Sequence, residues 1–270
     1  MATGGEPGPG EPRRDRGADA RSRWRAAGAV VALVVVAVAV AGALVARGSD
    51  GSSPGDDATG GDRLDLAVVG DSLIEQSRDQ LVAHATGAGL TVETWAFGGS
   101  APCDWMDTFE ELAAVPPGRL VISFAGNDST SCVNPGGGPP RDPQTIADAY
   151  AEDMPGIVDL FAGSGTDLYV VVPPPVGEPA SEPAAAAIRA MYRDLVRARP
   201  EVTLVDPGPL LGPDGRFHRT LPCEAWEADE CGADGTIEVR HDDGIHLAPA
   251  GGERYARVLL AAIGEPVTGG

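Results

Sequence analysis

Leu64-Asp65-Leu66-Ala67-Val68-Val69-Gly70-Asp71-Ser72-Leu73 decides the reading of this chain. The apolar run Leu64–Val69 suits a buried strand. Gly70 permits a tight turn, and Ser72 stands just before a helical stretch, Leu73–Ala85. A helix starting there aims free N–H groups and its positive dipole end at the serine. Gly-Asp-Ser is also an ordinary turn and Ser an ordinary N-cap, so this word alone assigns no chemistry. Three further words do. Gly98-Gly99 closes a second strand-like run, Gly126-Asn127-Asp128 a third, and Asp243-Gly244-Ile245-His246 lies near the C-terminus. Together they supply a serine, two kinds of oxyanion donor, a base and a group to orient it, which is what acyl transfer through a serine ester requires.

Outward from these words, β-like runs alternate with helical stretches. The predicted strands are Leu64–Val69, Thr91–Phe97, Leu120–Ala125, Asp167–Val172 and Val202–Val205. The predicted helices are Leu73–Ala85, Trp105–Ala114, Pro143–Phe161, Glu182–Ala198 and Ala248–Ile263. Such alternation implies βαβ units and a parallel sheet covered on both faces. Sheets of this kind carry their sites at the carboxyl ends of the strands, where the first three words fall.

The folded domain is expected over 64–266, after three N-terminal segments. Residues 1–25 read as a disordered tail with six arginines against four acids. Residues 26–46 are 21 uncharged, mostly Val and Ala, positions, which as a helix span about 31 Å. The arginine excess before this segment places the N-terminus in the cytoplasm and the domain outside. A signal peptide cleaved near Ala39-Val40-Ala41 is the rival reading. Residues 47–63 form a flexible Gly/Ser/Asp linker.

The chain has 270 residues and a formal net charge of −20, with arginine as its sole basic residue apart from histidine. That balance argues against a nucleic-acid partner, because phosphate binding needs basic patches. The sequence carries no dinucleotide, Walker or metal-ligand pattern, so no cofactor and no metal is expected. The four cysteines, Cys103, Cys132, Cys223 and Cys231, suit disulfides in an exported domain. Loops at neighbouring strand ends favour Cys103–Cys132, leaving Cys223–Cys231; a zinc site is the alternative.

Of the four histidines, only His246 has a constellation. Asp243, three residues earlier, can reach its ring and fix the tautomer that leaves the other nitrogen free. Asp242 is a rival orienter. His84, His218 and His241 read as structural or surface groups. Asn127 reads either as a turn residue or as an amide aimed at an oxyanion, and Asp128 as a loop brace. Trp95, Trp105 and Trp226 read as packing residues, with sugar stacking open at Trp105 and Trp226.

The four words in order resemble the sequence blocks of the SGNH, or GDSL, hydrolase superfamily, from Val69 to Leu247. The resemblance implies a flavodoxin-like three-layer α/β/α sandwich with a central parallel sheet, here preceded by one transmembrane helix. It implies Ser72 as nucleophile, His246 as base and Asp243 as its partner. It also implies an oxyanion hole from the Ser72 N–H, the Gly99 N–H and the Asn127 side-chain amide, with Gly98 able to serve in place of Gly99. The segment Phe97–Cys103 has no close counterpart in the commonest secreted lipases of the superfamily. The expected function is therefore an extracytoplasmic, membrane-anchored serine esterase acting on small acyl, above all acetyl, esters, including O-acetylated glycans. Its alternatives are an O-acyltransferase on cell-wall or surface polysaccharide and a non-catalytic tethered binding module.

Overall fold

Five strands form one parallel sheet in the order β2-β1-β3-β4-β5: β1 Leu66–Gly70, β2 Val92–Ala96, β3 Arg119–Ser123, β4 Asp167–Val171 and β5 Val202–Val205. The computed structural model describes residues 63–267. The tail, the apolar anchor segment and all but the last position of the linker lie outside the described residues. Among the described residues, no helix is long and apolar enough to cross a membrane.

Side chains alternate across a strand, and this alternation builds two cores. On β1, Ala67 and Val69 enter one core, with Leu120, Ile122 and Val170 from the neighbouring strands. Helices α2 (Met106–Ala114), α3 (Pro143–Leu160) and α4 (Glu182–Ala198) cover that face through Phe109, Tyr150, Met154, Ile188 and Tyr192. Leu66 and Val68 enter the opposite core with Val121, Val171 and Val205. There α1 (Ser72–Gly87) and the C-terminal helix supply Leu73, Ile74, Leu81, Tyr255 and Leu259. The three-layer sandwich follows directly, and the predicted strands and helices are all present with ends shifted by one or two residues.

One unit escapes periodicity. After a single helical turn, α5 (Gly208–Leu211), the short strands β6 (Thr220–Pro222) and β7 (Thr236–Glu238) pair antiparallel. The hairpin is joined to the C-terminal helix, α6 (Pro249–Ala262), by a buried ion pair between Glu227, in the segment linking β6 and β7, and Arg254 of the helix. Arg254 Nε and Nη2 donate to the two Glu227 carboxylate oxygens at 2.7 and 2.6 Å. Arg254 also donates to the Leu210 and Pro222 carbonyls at 3.0 and 2.7 Å, so its buried charge is well satisfied.

Helix α6 approaches its neighbours through two glycines. A Cβ on Gly251 would sit 1.9 Å from the Val239 carbonyl oxygen, and one on Gly252 would sit 3.0 Å from that of Gln76 in α1. Only bare backbone fits this crossing. Substituting Gly251→Ala is expected to destabilise the protein by at least about 2 kcal/mol, since backbone must move to admit the methyl group. Urea denaturation measures this; an unchanged midpoint would show that α6 lies less close to the Val239 backbone than described.

Candidate active site

The turn between β1 and α1 is organised by one buried carboxylate. Asp71 caps α1, its Oδ1 accepting from the Leu73 N–H at 3.0 Å. Its Oδ2 accepts from the Ala125 N–H at 2.7 Å and the Asn127 side-chain amide at 3.0 Å. A single side chain thus ties the serine turn to the loop following β3. Burial raises its pKa to about 6, against the opposing pull of the Leu73 and Ala125 N–H bonds, the His246 charge and the Asn127 amide.

Ser72 is the first residue of α1 and is largely buried. Its N–H has no acceptor within the helix, because the first turn never does. Gly98 lies against it: a Cβ there would be 3.7 Å from the Ser72 Cβ and 3.3 Å from Glu75 Oε2. Gly99 takes φ +83°, a left-handed conformation that suits glycine, and its carbonyl accepts from Ser129 Oγ at 3.2 Å. A side chain at 98 would touch the serine and press on Glu75, whereas one at 99 would meet Ser129.

Asn127 does something the sequence does not predict. Its amide nitrogen donates to Asp71 Oδ2 and, at 3.1 Å, to the Ser100 carbonyl. Both of its hydrogens therefore serve the internal frame in the free protein, and neither is left for a ligand. Asp128 braces its loop as expected, accepting from the Arg141 N–H at 2.7 Å.

On the other side of the cleft, Asp243 and His246 meet as their spacing predicts. His246 Nδ1 is 2.7 Å from Asp243 Oδ2, and Asp243 Oδ1 accepts from the N–H groups of Ile245 and His246 at 2.8 and 2.9 Å. Partial burial pushes Asp243 upward, but the two N–H bonds and the imidazole outweigh it and hold the carboxyl well below its ordinary range. The rival orienter, Asp242, pairs instead with Arg219. The loop is pinned to α1 one turn beyond Ser72, where the Leu247 N–H donates to Gln76 Oε1 at 2.8 Å. Among the described residues no hydrogen bond joins Ser72 Oγ to His246, whose Nδ1 is held by Asp243.

The remaining singled-out residues do not join this group. His84 bonds Glu253 at 2.8 Å and His218 bonds Asp214 at 2.7 Å. Trp226 packs against the Arg257 guanidinium, 4.6 Å from the ring centre. Trp105 stacks beside the exposed Phe97 at 5.1 Å and donates to Ser100 Oγ at 3.0 Å, next to the glycine loop. The cysteines pair as expected: Cys103–Cys132 joins the loops following β2 and β3, and Cys223–Cys231 closes the β6–β7 hairpin. One lining residue was not foreseen. Arg240 borders the cleft of about 260 Å³ that also contains Ser72, Asn127 and Ile245. No motif marks it; an arginine in a strand-like run before the Asp-x-x-His word was the only available sign.

The model of a family described as "Protein of unknown function (DUF459)" matches residues 65–262. No curated protein matches the chain. Among solved structures, LAE5, an alpha/beta hydrolase enzyme from the metagenome of Lake Arreo, superposes with a TM-score of 0.52 at 14% identity, covering 76% of this chain and 97% of its own. An acetyl xylan esterase from Geobacillus stearothermophilus, Axe2, gives 0.50 at 15% identity, covering 77% and 97%. The acetyl xylan esterase AlAXEase gives 0.50 at 17%, covering 73% and 99%. At these identities the likeness is one of fold.

The buried carboxylate gives the site a pH dependence of unusual sign. Asp71 is raised from an unfolded value near 3.8 to about 6, so the folded protein binds that proton more tightly. Its contribution to stability therefore grows as pH falls from about 6 to about 4, by up to about 3 kcal/mol. Asp243, depressed in the fold, contributes oppositely: its stabilisation is present above its unfolded value and fades as pH drops below about 4. Comparing wild type with Asp71→Asn by denaturation across pH 4 to 7 isolates the first effect. The difference between them should shift towards wild type on acidification; a flat difference would refute the assignment.

Proposed function

We propose, for a chain that belongs to the DUF459 family and through it to the SGNH superfamily, a serine-dependent transfer of small acyl groups, with water as the final acceptor. The observation that carries this reading is the pinning of the Asp243–His246 pair to the same helix whose first residue is Ser72. Ser72 Oγ attacks the ester carbonyl as His246 Nε2 takes its proton, and Asp243 holds the Nδ1–H tautomer and steadies the imidazolium. The oxyanion is held by the Ser72 N–H, the backbone of Gly98-Gly99 and the Asn127 amide, which must first release its bond to Ser100. The alcohol departs with the proton from His246. Water, activated by the same imidazole, then cleaves the acyl-serine.

The substrate is a small acyl ester, in particular an O-acetyl group on a glycan. A cleft of about 260 Å³ suits a short acyl chain, and acetyl xylan esterases share the fold. The domain works outside the cytoplasmic membrane, held by the apolar segment 26–46. Two disulfides support an oxidising compartment.

Ser72→Ala is expected to abolish hydrolysis of 4-nitrophenyl acetate and labelling by a fluorophosphonate probe. Full activity in that variant, or an unlabelled folded wild type, would overturn the reading. Asn127→Ala should lower kcat about 10²- to 10³-fold if its amide reaches the oxyanion. It should also lower stability by about 1 to 3 kcal/mol, because buried Asp71 loses a donor. A stability loss with kcat unchanged would confine Asn127 to the frame.

A further inference from the structure

The cleft is lined by a buried cation whose hydrogen-bonding capacity is only partly used. Arg240 is 1% exposed, and only one of its nitrogens is used: Nη2 donates to the Ile245 carbonyl. Nε and Nη1 are buried and, among the described residues, have no hydrogen-bond partner. The Phe217 ring lies below the guanidinium, 5.5 Å from its carbon. The nearest carboxylates are committed elsewhere. Asp243 serves His246 and its own loop, and Glu182 accepts from the Val176 N–H and pairs with Arg189. Burial lowers the Arg240 pKa only to about 10, so it is a full cation at neutral pH. The contrast with Arg254 is informative: that equally buried arginine has four acceptors within 3.0 Å. A buried guanidinium with two idle donors is costly unless a ligand completes it.

Arg240 shares its cleft with Ser72, and Arg141 lines the same cleft, its Nε held by Asn134 at 3.3 Å. The two acids lining it, Asp71 and Asp128, are already engaged with backbone N–H groups. Two arginines thus face two acids across the cleft, in a chain of net charge −20. We propose that Arg240 receives an anionic substituent of the substrate, a carboxylate or phosphate carried by the acylated molecule. The natural substrate is then an acyl ester of an acidic molecule, such as an acidic sugar, rather than a neutral one. Nε and Nη1 lie on different edges of the planar guanidinium fork, so each offers a single charge-assisted hydrogen bond to such an anion. Both donors are closed to bulk water in the free protein, so the anion enters as the lining side chains adjust. The inference deepens the proposed function and rests on it for the identity of the reacting ester.

The experiment reads binding apart from turnover. Thermal unfolding of the full chain carrying Ser72→Ala is followed with increasing D-glucuronate, glucose 1-phosphate or glucose. An anion should raise Tm where glucose does not, and the more effective anion separates carboxylate from phosphate. Adding Arg240→Met should weaken that binding about ten- to a hundredfold. Arg240→Lys, which keeps the charge but loses the fork, should bind with intermediate affinity and covers the case in which Arg240→Met does not fold. Equal responses to glucose and both anions, no response to any, or undiminished anion binding in both Arg240 variants would overturn the inference. Fluorophosphonate labelling without anion binding would remove the inference alone. Anion binding without labelling would remove the esterase reading and leave the anion site.

Discussion

The Asp71 carboxylate is the constraint on which the site depends. Three donors converge on it, from the start of α1, from the end of β3 and from the Asn127 side chain. One bond closes the serine turn on itself and the other two tie it to the loop after β3, with the Asp71 carboxylate buried. A buried acid normally sheds its charge, yet this one is surrounded by hydrogens that a neutral carboxyl would oppose. The compromise is a pKa lifted to about 6 but no further. Rigidity at Ser72 is thus obtained at some expense in stability at neutral pH, a pattern common where a fold must hold reacting groups in place.

Around that centre the frame is redundant. The Cys103–Cys132 bridge ties together the loops after β2 and β3. Asn127 spans the same gap by bonding both Asp71 and the Ser100 carbonyl. The opposite wall is held by different means: backbone contact at Gly251 and Gly252, and the Leu247–Gln76 bond. One wall is fixed covalently and by polar contacts, the other by close helix packing.

The layered architecture was legible because a parallel sheet covered on both sides writes itself as apolar runs separated by helical stretches. The Asp243–His246 contact was legible because the two residues are neighbours in sequence as well as in space. The β6–β7 hairpin was not, since three-residue strands are too short to show a period. The Arg254–Glu227 pair was invisible for another reason: burial of two charged residues on distant segments leaves no local trace. Arg240 escaped in the same way. Asn127 shows the limit of motif reading, because a motif assigns an amide to a place without saying which acceptors already hold it.

The two halves of the proposed machinery lie at opposite ends of the folded domain's chain. Ser72 opens the first helix, whereas His246 arrives only when the last helix has docked against it. A polypeptide still being synthesised, or one cut short before α6, carries a serine with no imidazole beside it. On the proposed chemistry, competence is therefore expected only once the last helix is in place, and a copy lacking it is expected to be inert towards esters.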